Sequence, residues 1–597
     1  MENQEIEARA REYVGQELDS GFRAEVQTLL DAEDWKELED RFYRDLEFGT
    51  GGLRGVIGGG YNRMNSFVVS RATQGLCDYL IAAFPKKSLS ACIAFDSRRY
   101  SPEFSEIAAR VFAANGIKAY LFSALRPTPE LSFAIRRLKA DTGIVVTASH
   151  NPPKYNGYKA YWNDGSQVTP PHDEGIIDMV GKVKRIKTLT REEAVERGLL
   201  VVIDREVDEP YVAMVKSKLL RPGLIKKMAG EARIVYTPLH GTGAFLFERV
   251  MKDLGLTVVT VPEQREPDGA FPTVAFPNPE EAAALKLALE LGARLGADVV
   301  MANDPDADRL GVAVPGPGAA RGLASNFVLI TGNQLGSLHL DYILLTRREL
   351  GLMPEKPAAV KTIVTTDLQA RIAEKYGATC FECLTGFKWI ADLMRRFETD
   401  GQGYEFVYGT EESYGHLIEN EVRDKDGISA AALTAEMTLY WRSKGRTLLE
   451  RLDELYVEYG YYEEKSINKY FEGPTGMDVM RGMMEGYRKR QPDALGGIAV
   501  SRIRDIKTGL EWAAAGTGAA PGAATKIDLP ASDVIQWLLE DGTKVTVRPS
   551  GTEPKIKFYV LLRSECEGGA AGLPAARAAS ASKAAAIAAD IRKVIGA

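Results

Sequence analysis

Short apolar runs alternate with amphipathic stretches along most of the chain. In the first third, residues 90–95, 118–122 and 142–147 predict strands, while 103–115 and 130–138 carry apolar residues at helical spacing. Strands that alternate with helices in this way indicate βαβ units and a mainly parallel sheet.

The same alternation recurs twice further along. Strands are expected at 233–237, 257–261, 298–302, 358–362 and 406–408, and helices at 244–254, 280–295 and 367–376. We therefore expect three related α/β domains with mixed sheets.

The two ends of the chain have different patterns. The first forty or so residues have helical spacing, and a Gly-rich loop follows at 49–60. Residues 461–468 and 541–548 are typical of strands in a separate α+β domain. A loose surface loop rich in Gly, Ala and Pro is expected at 513–525, and an Ala-rich final helix from residue 570.

The length of 597 residues is too great for one hydrophobic core. We predict four domains around a central cleft, three α/β and one α+β. Their predicted limits are 1–205, which includes the N-terminal helix, 206–325, 326–460 and 461–597.

Composition narrows the class of protein. An apolar fraction of 45%, a charged fraction of 26% and a net charge of -7 are ordinary for a globular protein. The mild acidity argues against nucleic-acid binding, although a local cluster of Arg and Lys would suffice for a small phosphorylated substrate. The polar start and the lack of long apolar stretches predict a cytoplasmic protein without a membrane segment. We expect the CxxC of Cys380 and Cys383 to be structural, since no second pair completes a zinc site.

A polar loop with Ser149 beside His150 follows the apolar run 144–146. Loops at the ends of parallel strands are where α/β folds place their chemistry. A Ser next to a His can be a nucleophile with its base. Taken alone, the loop fits an ordinary Ser/Asn turn equally well.

Asp304, Asp306 and Asp308 follow another apolar run, at 299–301. Three carboxylates this close repel one another, and three hard oxygen donors suit Mg²⁺. A calcium-binding EF-hand loop is disfavoured because Arg309 and Pro315 stand where that loop needs Gly and Glu. The alternative is a solvated acidic turn.

A third polar loop, at 409–416, contains Glu411 and Ser413 after a predicted strand. A carboxylate and a hydroxyl together can bind neighbouring hydroxyls of a sugar. A plain surface turn is the alternative.

A fourth polar loop contains Arg548, Ser550, Gly551 and Thr552. It offers hydroxyl and backbone donors next to a forked cation, which is typical of a phosphate cradle. The spacing of a nucleotide-binding P-loop is absent from the sequence, so nothing indicates ATP use.

The four loops, in this order, resemble those of the α-D-phosphohexomutase superfamily, and in particular its phosphoglucomutase/phosphomannomutase group. Supporting matches lie at 51–55, 96–98, 127–130, 386–388 and 423–427. The resemblance runs from about residue 41 to 560. It leaves out the N-terminal helix, the 513–525 loop and the Ala-rich tail.

The resemblance implies an isomerase that moves a phosphoryl group within a sugar phosphate, with Mg²⁺ and glucose 1,6-bisphosphate as cofactors. Ser149 would be the phosphorylated residue and would ligate Mg²⁺ together with Asp304, Asp306 and Asp308. Lys159 would be the general acid and base, with Arg54 and His150 in the catalytic set. The residues implied for substrate binding are Arg309, Lys388, Glu411, Ser413, Lys425, Arg548, Ser550, Gly551 and Thr552.

A Lys can accept a proton near neutral pH only if its pKa is lowered. We expect Arg54 or Arg309 to lower the pKa of Lys159 by charge repulsion.

The substrate is less sharply indicated. The Glu411-Glu412-Ser413-Tyr414 segment is more similar to phosphoglucomutases, whereas His416 is shared with dual mannose/glucose enzymes. Glucose is favoured. The alternatives are a phosphomannomutase or dual-specificity enzyme, then a phosphopentomutase or a sugar-bisphosphate synthase, and last a non-catalytic sugar-phosphate-binding protein. We expect sugar phosphates as the only partners of a monomer or dimer.

Overall fold

The computed structural model describes residues 3–49, 52–85, 87–316, 326–471, 476–514, 524–550 and 555–595. Contacts divide the chain into two compact units. The first unit consists of Met1–Thr331, Ala391–Gly401 and Ser413–Tyr440, and the second of Gly332–Ile390, Gln402–Glu412 and Trp441–Ala597.

The N-terminal segment is three short helices instead of one: α1 (Asn3–Gln16), α2 (Ser20–Asp31) and α3 (Trp35–Phe42). The side chains of Asp19 and Asp34 each accept hydrogen bonds from the first turn of the following helix, which is why new helices start there. The three helices pack around a small aromatic core that includes Tyr13 and Phe42.

The first sheet of the first unit has the strand order β1-β5-β4-β2-β3-β6. Its strands are β1 (Gly52–Val56), β2 (Ser90–Phe95), β3 (Lys118–Phe122), β4 (Thr142–Val146), β5 (Tyr155–Trp162) and β6 (Leu200–Ile203). Its helices are α4 (Ser66–Ala83), α5 (Ser101–Ala114), α6 (Thr128–Leu138), α7 (His172–Lys182) and α8 (Arg191–Glu196). Strands β4, β2, β3 and β6 run parallel, whereas β5 is antiparallel to β4 and β1 antiparallel to β5, so the sheet is mixed.

The prediction missed three of these strands. The Gly-rich stretch expected to be a loop contains β1, and neither β5 nor β6 was expected. Glycines at 52, 55 and 157 hide a strand pattern because they carry no side chain to alternate.

The second sheet has the order β11-β10-β9-β7-β8. Its strands are β7 (Ile234–Thr237), β8 (Val258–Thr260), β9 (Val299–Asn303), β10 (Leu310–Pro315) and β11 (Phe327–Ile330). Its helices are α9 (Arg205–Ser217), α10 (Pro222–Met228), α11 (Gly243–Asp253), α12 (Pro262–Arg265) and α13 (Lys286–Leu295). The helix expected at 280–295 begins only at Lys286, because residues 280–285 form turns capped by Asn278.

In the second unit, β12 (Pro357–Thr362) pairs in parallel with β13 (Thr379–Cys383) and with β14 (Glu405–Glu411). The second unit also contains α14 (Gly332–Leu350), α15 (Leu368–Lys375) and α18 (Leu448–Tyr459). The first unit contains β15 (Gly415–Leu417) and most of α16 (Phe387–Thr399) and α17 (Gly427–Ser443).

The C-terminal part is rich in antiparallel sheet, with the order β16-β23-β22-β21-β18-β19-β20 and β17 paired to β18. Its strands are β16 (Tyr461–Tyr470), β17 (Ala494–Leu495), β18 (Ile498–Asp505), β19 (Leu510–Ala513), β20 (Thr525–Lys526), β21 (Ile535–Leu539), β22 (Lys544–Pro549) and β23 (Lys555–Ser564). Its helices are α19 (Gly476–Lys489) and α20 (Leu573–Ile595). The sheet packs around the buried Trp537.

Three α/β regions with a sheet-rich C-terminal region confirm the predicted fold class. The Ala-rich tail is helical, as expected. Most of the loop predicted at 513–525 lies outside the described residues. None of the described helices is long and apolar enough to cross a membrane.

Candidate active site

Ser149 lies just beyond the carboxyl end of β4 in a left-handed turn, with φ of 51°. Its side chain is almost fully buried. The backbone N–H of Ser149 donates to Thr147 Oγ1 at 2.8 Å, and Thr147 Oγ1 donates in turn to Asp96 Oδ2 at 2.6 Å. The turn is therefore held from within the first sheet.

The three predicted carboxylates converge in the loop after β9. Oxygen atoms of Asp304, Asp306 and Asp308 lie within 4.8 Å of one another, and all three side chains are buried. Ser149 Oγ donates a hydrogen bond to Asp304 Oδ2 at 2.6 Å. The structure thus brings together, within the first unit, two loops that are 155 residues apart in the sequence.

The three carboxylates have unequal electrostatic surroundings. Burial, followed by repulsion from Asp306 and Asp308, raises the pKa of Asp304 well above its ordinary value. The pKa of Asp308 is held below its ordinary value despite burial, because Lys425, Lys159 and Arg309 surround it.

The cluster fits an oxygen-binding divalent cation. Asp306 Oδ1 and Asp308 Oδ1 are buried and lack a hydrogen-bond partner. A buried carboxylate oxygen in that state is costly unless a cation compensates it. Three such hard donors match the ligand preference of Mg²⁺.

Lys159 projects from β5 into the same cluster. Its Nζ donates to Asp306 Oδ2 at 2.7 Å and to Asp308 Oδ2 at 3.4 Å. Burial lowers the pKa of Lys159, but the two carboxylates outweigh it and the pKa ends above its ordinary value. The expected lowering by Arg54 or Arg309 is therefore wrong for this arrangement, since the nearest partners of Lys159 are anions.

His150 and Arg54 lie beside the Ser149 turn. His150 Nδ1 is 3.1 Å from Ser149 Oγ. Burial, together with the charges of Arg309 and Arg54, lowers the pKa of His150 well below its ordinary value, so the ring is neutral at pH 7. Arg54 is exposed on β1, whose register pairs Arg54 with Gly157 and Gly52 with Lys159.

The remaining predicted residues of the first unit border the carboxylates. Lys425 Nζ contacts Asp308 Oδ2 at 2.9 Å and Asp424 Oδ1 at 3.0 Å. Arg309 donates to Glu280 at 2.7 Å. Ser413 begins a segment that is tied to this loop, because Leu310 N donates to the carbonyl of the next residue, Tyr414.

In the second unit, the ends of two strands carry the predicted binding residues. Glu411 ends β14, and its carboxylate accepts a hydrogen bond from Gly386 N at 2.8 Å. Lys388, near the start of α16, lies 5.2 Å from the Trp389 ring. Arg548 is in β22, and Ser550 N donates to the carbonyl of Lys555 at 2.7 Å. Gly551 and Thr552 lie outside the described residues.

Tyr559 joins these two strand ends. Burial and Glu412 raise its pKa, Arg548 hydrogen-bonds its side chain and lowers that pKa, and Glu411 raises it further. No sequence pattern singles out Tyr559. Arg98 and Thr128 have no predicted role either, although both lie in segments that carry the family resemblance. Thr128 Oγ1 donates to Asp306 Oδ2 at 2.9 Å.

The chain is similar to known proteins along most of its length. Models of the phosphoglucomutase/phosphomannomutase α/β/α domains I, II and III match residues 45–187, 209–318 and 331–459. A phosphoglucomutase from Staphylococcus epidermidis is 34% identical over 88% of this chain and 92% of its own length. A phosphopentomutase from Homo sapiens is 33% identical over 90% of this chain and 88% of its own length.

Solved structures show the same fold. Parafusin from Paramecium, described as a phosphoglucomutase, matches with a TM-score of 0.66 and 18% identity over 93% of this chain and 95% of its own. A phosphoglucomutase/phosphomannomutase family protein from Burkholderia thailandensis matches with a TM-score of 0.62 and 18% identity over 92% of this chain and 97% of its own.

This chain belongs to the phosphoglucomutase/phosphomannomutase family. It is an enzyme of the isomerase class, an intramolecular phosphotransferase, as the sequence predicted. Relatives of nearly equal identity carry the names phosphoglucomutase and phosphopentomutase, so the family does not by itself identify the sugar.

Proposed function

We propose that the enzyme interconverts glucose 1-phosphate and glucose 6-phosphate through a phosphoserine at Ser149 and a bound glucose 1,6-bisphosphate. The observation that carries the proposal is the 2.6 Å hydrogen bond from Ser149 Oγ to Asp304 in a buried carboxylate cluster. A buried hydroxyl beside three carboxylates that suit a divalent cation supports Ser149 as the phosphoryl carrier.

Asp304, Asp306 and Asp308 are the residues we propose to hold Mg²⁺, with the phosphoserine as a further ligand. When bound there, the cation neutralises phosphoryl charge and makes the serine oxygen a better leaving group.

In the first transfer the bond between phosphorus and Ser149 Oγ breaks and one to a sugar hydroxyl oxygen forms, and the second transfer runs these changes in reverse on the other phosphoryl group. In the first transfer one proton must move from that hydroxyl to Ser149 Oγ. Because the raised pKa of Lys159 keeps its ammonium protonated, we propose that Lys159 donates a proton to Ser149 Oγ as that oxygen leaves and is reprotonated by the sugar hydroxyl. Neutral His150 supports this assignment, because its hydrogen bond can orient Ser149 Oγ without adding a second charge. The bisphosphate then turns over, and its other phosphoryl group returns to Ser149.

Binding is assigned to the other predicted residues. Glu411 and Ser413 would bind sugar hydroxyls. Arg548, Ser550, Gly551 and Thr552 would bind the phosphate that is not reacting, because a forked cation with hydroxyl and backbone donors matches phosphate oxygens. Arg54, Arg309, Lys388 and Lys425 would add positive charge for the same anionic substrate.

Two observations bear on the sugar. His416, the feature shared with dual mannose/glucose enzymes, is buried, and burial lowers its pKa to about 3. A buried ring gives little support to a mannose specificity. The second candidate is a phosphopentomutase, because several relatives with that name cover 90% of this chain at 33–34% identity.

A substrate panel separates the candidates. Glucose, mannose, glucosamine and ribose 1-phosphates are compared with Mg²⁺ and a trace of glucose 1,6-bisphosphate, by kcat/KM. We expect glucose 1-phosphate to lead, and peptide mass spectrometry of the purified enzyme to place the phosphoryl group on Ser149. Equal or faster turnover of ribose 1-phosphate would overturn the preference for hexose, and phosphate on another residue would overturn the mechanism.

Three further proposals follow from the family membership. The domain limits are 1–205, 206–325, 326–460 and 461–597. The enzyme acts in the cytoplasm on small sugar phosphates. It is a monomer or a dimer, which size-exclusion chromatography with light scattering would decide.

A further inference from the structure

Arg98 holds the loop that carries Ser149 by its main chain. Its Nη1 donates to the carbonyls of Pro152 at 2.9 Å and Tyr155 at 3.0 Å, and its Nη2 to those of Ser149 and Asn151. One side chain thus donates hydrogen bonds to four carbonyl oxygens of a single loop.

Asp96 completes the arrangement from the other side. Its Oδ2 lies 3.3 Å from Arg98 Nε and accepts the hydrogen bond from Thr147 Oγ1, which itself accepts from Ser149 N. The carboxylate of Asp96 also accepts from Arg98 N at 2.9 Å. The loop is therefore held on both the carbonyl and the amide side of Ser149.

Arg98 also contacts the region that contributes the carboxylate loop. Its guanidinium lies 4.9 Å from the centre of the Phe271 ring. Close by, a Cβ added to Gly269 would be 2.6 Å from Ser97 O and Arg99 N. The two backbone segments therefore approach so closely that only glycine fits. Arg98 consequently lies between the parts of the first unit that supply Ser149 and Asp304.

This bracing matters because the Ser149 turn is strained. A φ of 51° is sparsely populated by residues other than Gly and persists only where the surroundings enforce it. Arg98 is 1% exposed, so it cannot touch a substrate. Its effect must pass through the loop.

We propose that Arg98 is a positioning residue for phosphoryl transfer: its four carbonyl contacts hold the Ser149 turn so that Oγ faces Asp304. The proposal rests on the proposed function of Ser149 as phosphoryl carrier. The planar fork of an arginine is required, because a lysine ammonium cannot reach four carbonyls in fixed directions.

The test compares Arg98→Lys, Arg98→Met and Thr147→Val with the control Arg99→Met. Arg99 is the adjacent arginine, but it is exposed. Four quantities are measured: the melting temperature, the Ser149 phosphate content after incubation with glucose 1,6-bisphosphate, the KM for glucose 1-phosphate, and the single-turnover rate of transfer from the phosphoenzyme.

We expect Arg98→Lys to slow single-turnover transfer by about 10–100-fold, the range seen when residues that orient catalytic ligands are lost. The KM should change little, because no substrate contact is removed. Thr147→Val should slow transfer less, and Arg99→Met should match the wild type.

The outcomes separate the two levels of the proposal. Folded Arg98→Lys and Thr147→Val enzymes that transfer at the wild-type rate would overturn the positioning role. If Arg98→Met does not fold, these two milder variants decide. A wild-type enzyme without phosphate on Ser149 would instead overturn the proposed function itself.

Discussion

The two units present the predicted site residues in different physical settings. In the first unit, Ser149 and the three aspartates are at most 3% exposed, and their charges are paired at short range with Lys159 and Lys425. In the second unit, Lys388, Arg548 and Ser550 are only half-buried at the ends of elements. Electrostatic interactions are stronger where water is excluded, which suits the transfer of a charged group.

The second unit has its own buried charges, but they lie away from the proposed binding residues. Lys361 Nζ contacts Asp367 at 2.9 Å and Glu382 at 2.8 Å, and Lys544 Nζ contacts Glu382 at 3.3 Å. Lys361 lies in β12, the neighbour of β14, which ends at Glu411. Lys544 begins β22, which leads to Arg548. This cluster therefore ties β12, the neighbour of β14, to β22, whereas in the first unit the buried charges are themselves the proposed reacting centre.

The largest effect should come from Ser149→Ala. We expect mutase activity to fall by on the order of a thousandfold or more, since loss of a nucleophile can cost about a millionfold. The coupled assay with glucose 1-phosphate measures it. Ser105→Ala is the matched control, because its hydroxyl is also buried but has no hydrogen-bond partner. Substantial turnover by Ser149→Ala would show that Ser149 is not the phosphoryl carrier.

Removal of the metal should have the next largest effect on activity. Chelation with EDTA should abolish activity and Mg²⁺ should restore it. Saturating Mg²⁺, at about a hundred times its Kd, should stabilise the folded enzyme by about 2.7 kcal/mol. Asp306→Asn should weaken this gain in melting temperature, whereas Asp298→Asn, outside the cluster, should retain it. An unchanged Mg²⁺ response in Asp306→Asn would exclude that carboxylate as a ligand.

Glu411→Gln should affect substrate recognition rather than phosphorylation. The loss of a charged hydrogen-bond acceptor, worth about 1.5–3 kcal/mol, should lower kcat/KM for glucose 1-phosphate by about 10–100-fold. The final phosphate content of Ser149, reached on long incubation with the bisphosphate, should stay at the wild-type level. If kcat/KM and the phosphate content of Ser149 fall by the same factor, the role of Glu411 is not confined to substrate recognition.

Lys361→Met should lower stability. Its loss removes one of the two lysines that pair with Asp367 and Glu382, but both carboxylates retain Lys544 and are partly exposed. We therefore expect the free energy of unfolding to fall by about 1–3 kcal/mol. This is less than the roughly 3–5 kcal/mol lost when a fully buried ion pair is broken. Tryptophan-detected urea unfolding at pH 7 measures the change, with Lys375→Met as an exposed control. A midpoint equal to the wild type would mean that the cluster contributes no stability.

The same cluster predicts a pH dependence. Lys361 and Lys544 hold the pKa of Glu382 well below its ordinary value despite burial. A depressed carboxyl pKa stabilises the fold above the unfolded pKa of about 4.3 and loses that contribution as the pH falls further. The urea concentration at the unfolding midpoint should therefore decrease as the pH is lowered past about 4.3. The decrease should be smaller in Glu382→Gln. Parallel pH profiles for the two proteins would contradict this.

The smallest effect should come from the CxxC pair. All five cysteines are free, and burial raises the pKa of Cys380 to about 11. The thiol is therefore protonated and unreactive at pH 7. Cys380→Ala should keep activity, and iodoacetamide should label Cys380 slowly in the native enzyme. Rapid labelling, or activity that depends on the redox state, would reopen a functional role for the pair.

The class of fold could be predicted from the sequence alone, and so could the loops proposed to carry chemistry. Apolar runs with period two or 3.6 mark most strands and helices, and the polar loops at 149, 304–308, 411 and 548 stand out against them. The strands β1, β5 and β6 were not predicted because none of them shows a regular alternation of apolar and polar residues.

Only the tertiary structure decided which residues act on one another. Three features depend on segments that are far apart in the sequence. They are the hydrogen bond of Ser149 to Asp304, the hydrogen bonds of Arg98 to four carbonyls and the raised pKa of Lys159. A pKa depends on burial and on the nearest charges. The sequence suggested arginines near Lys159, whereas the fold placed two aspartates there.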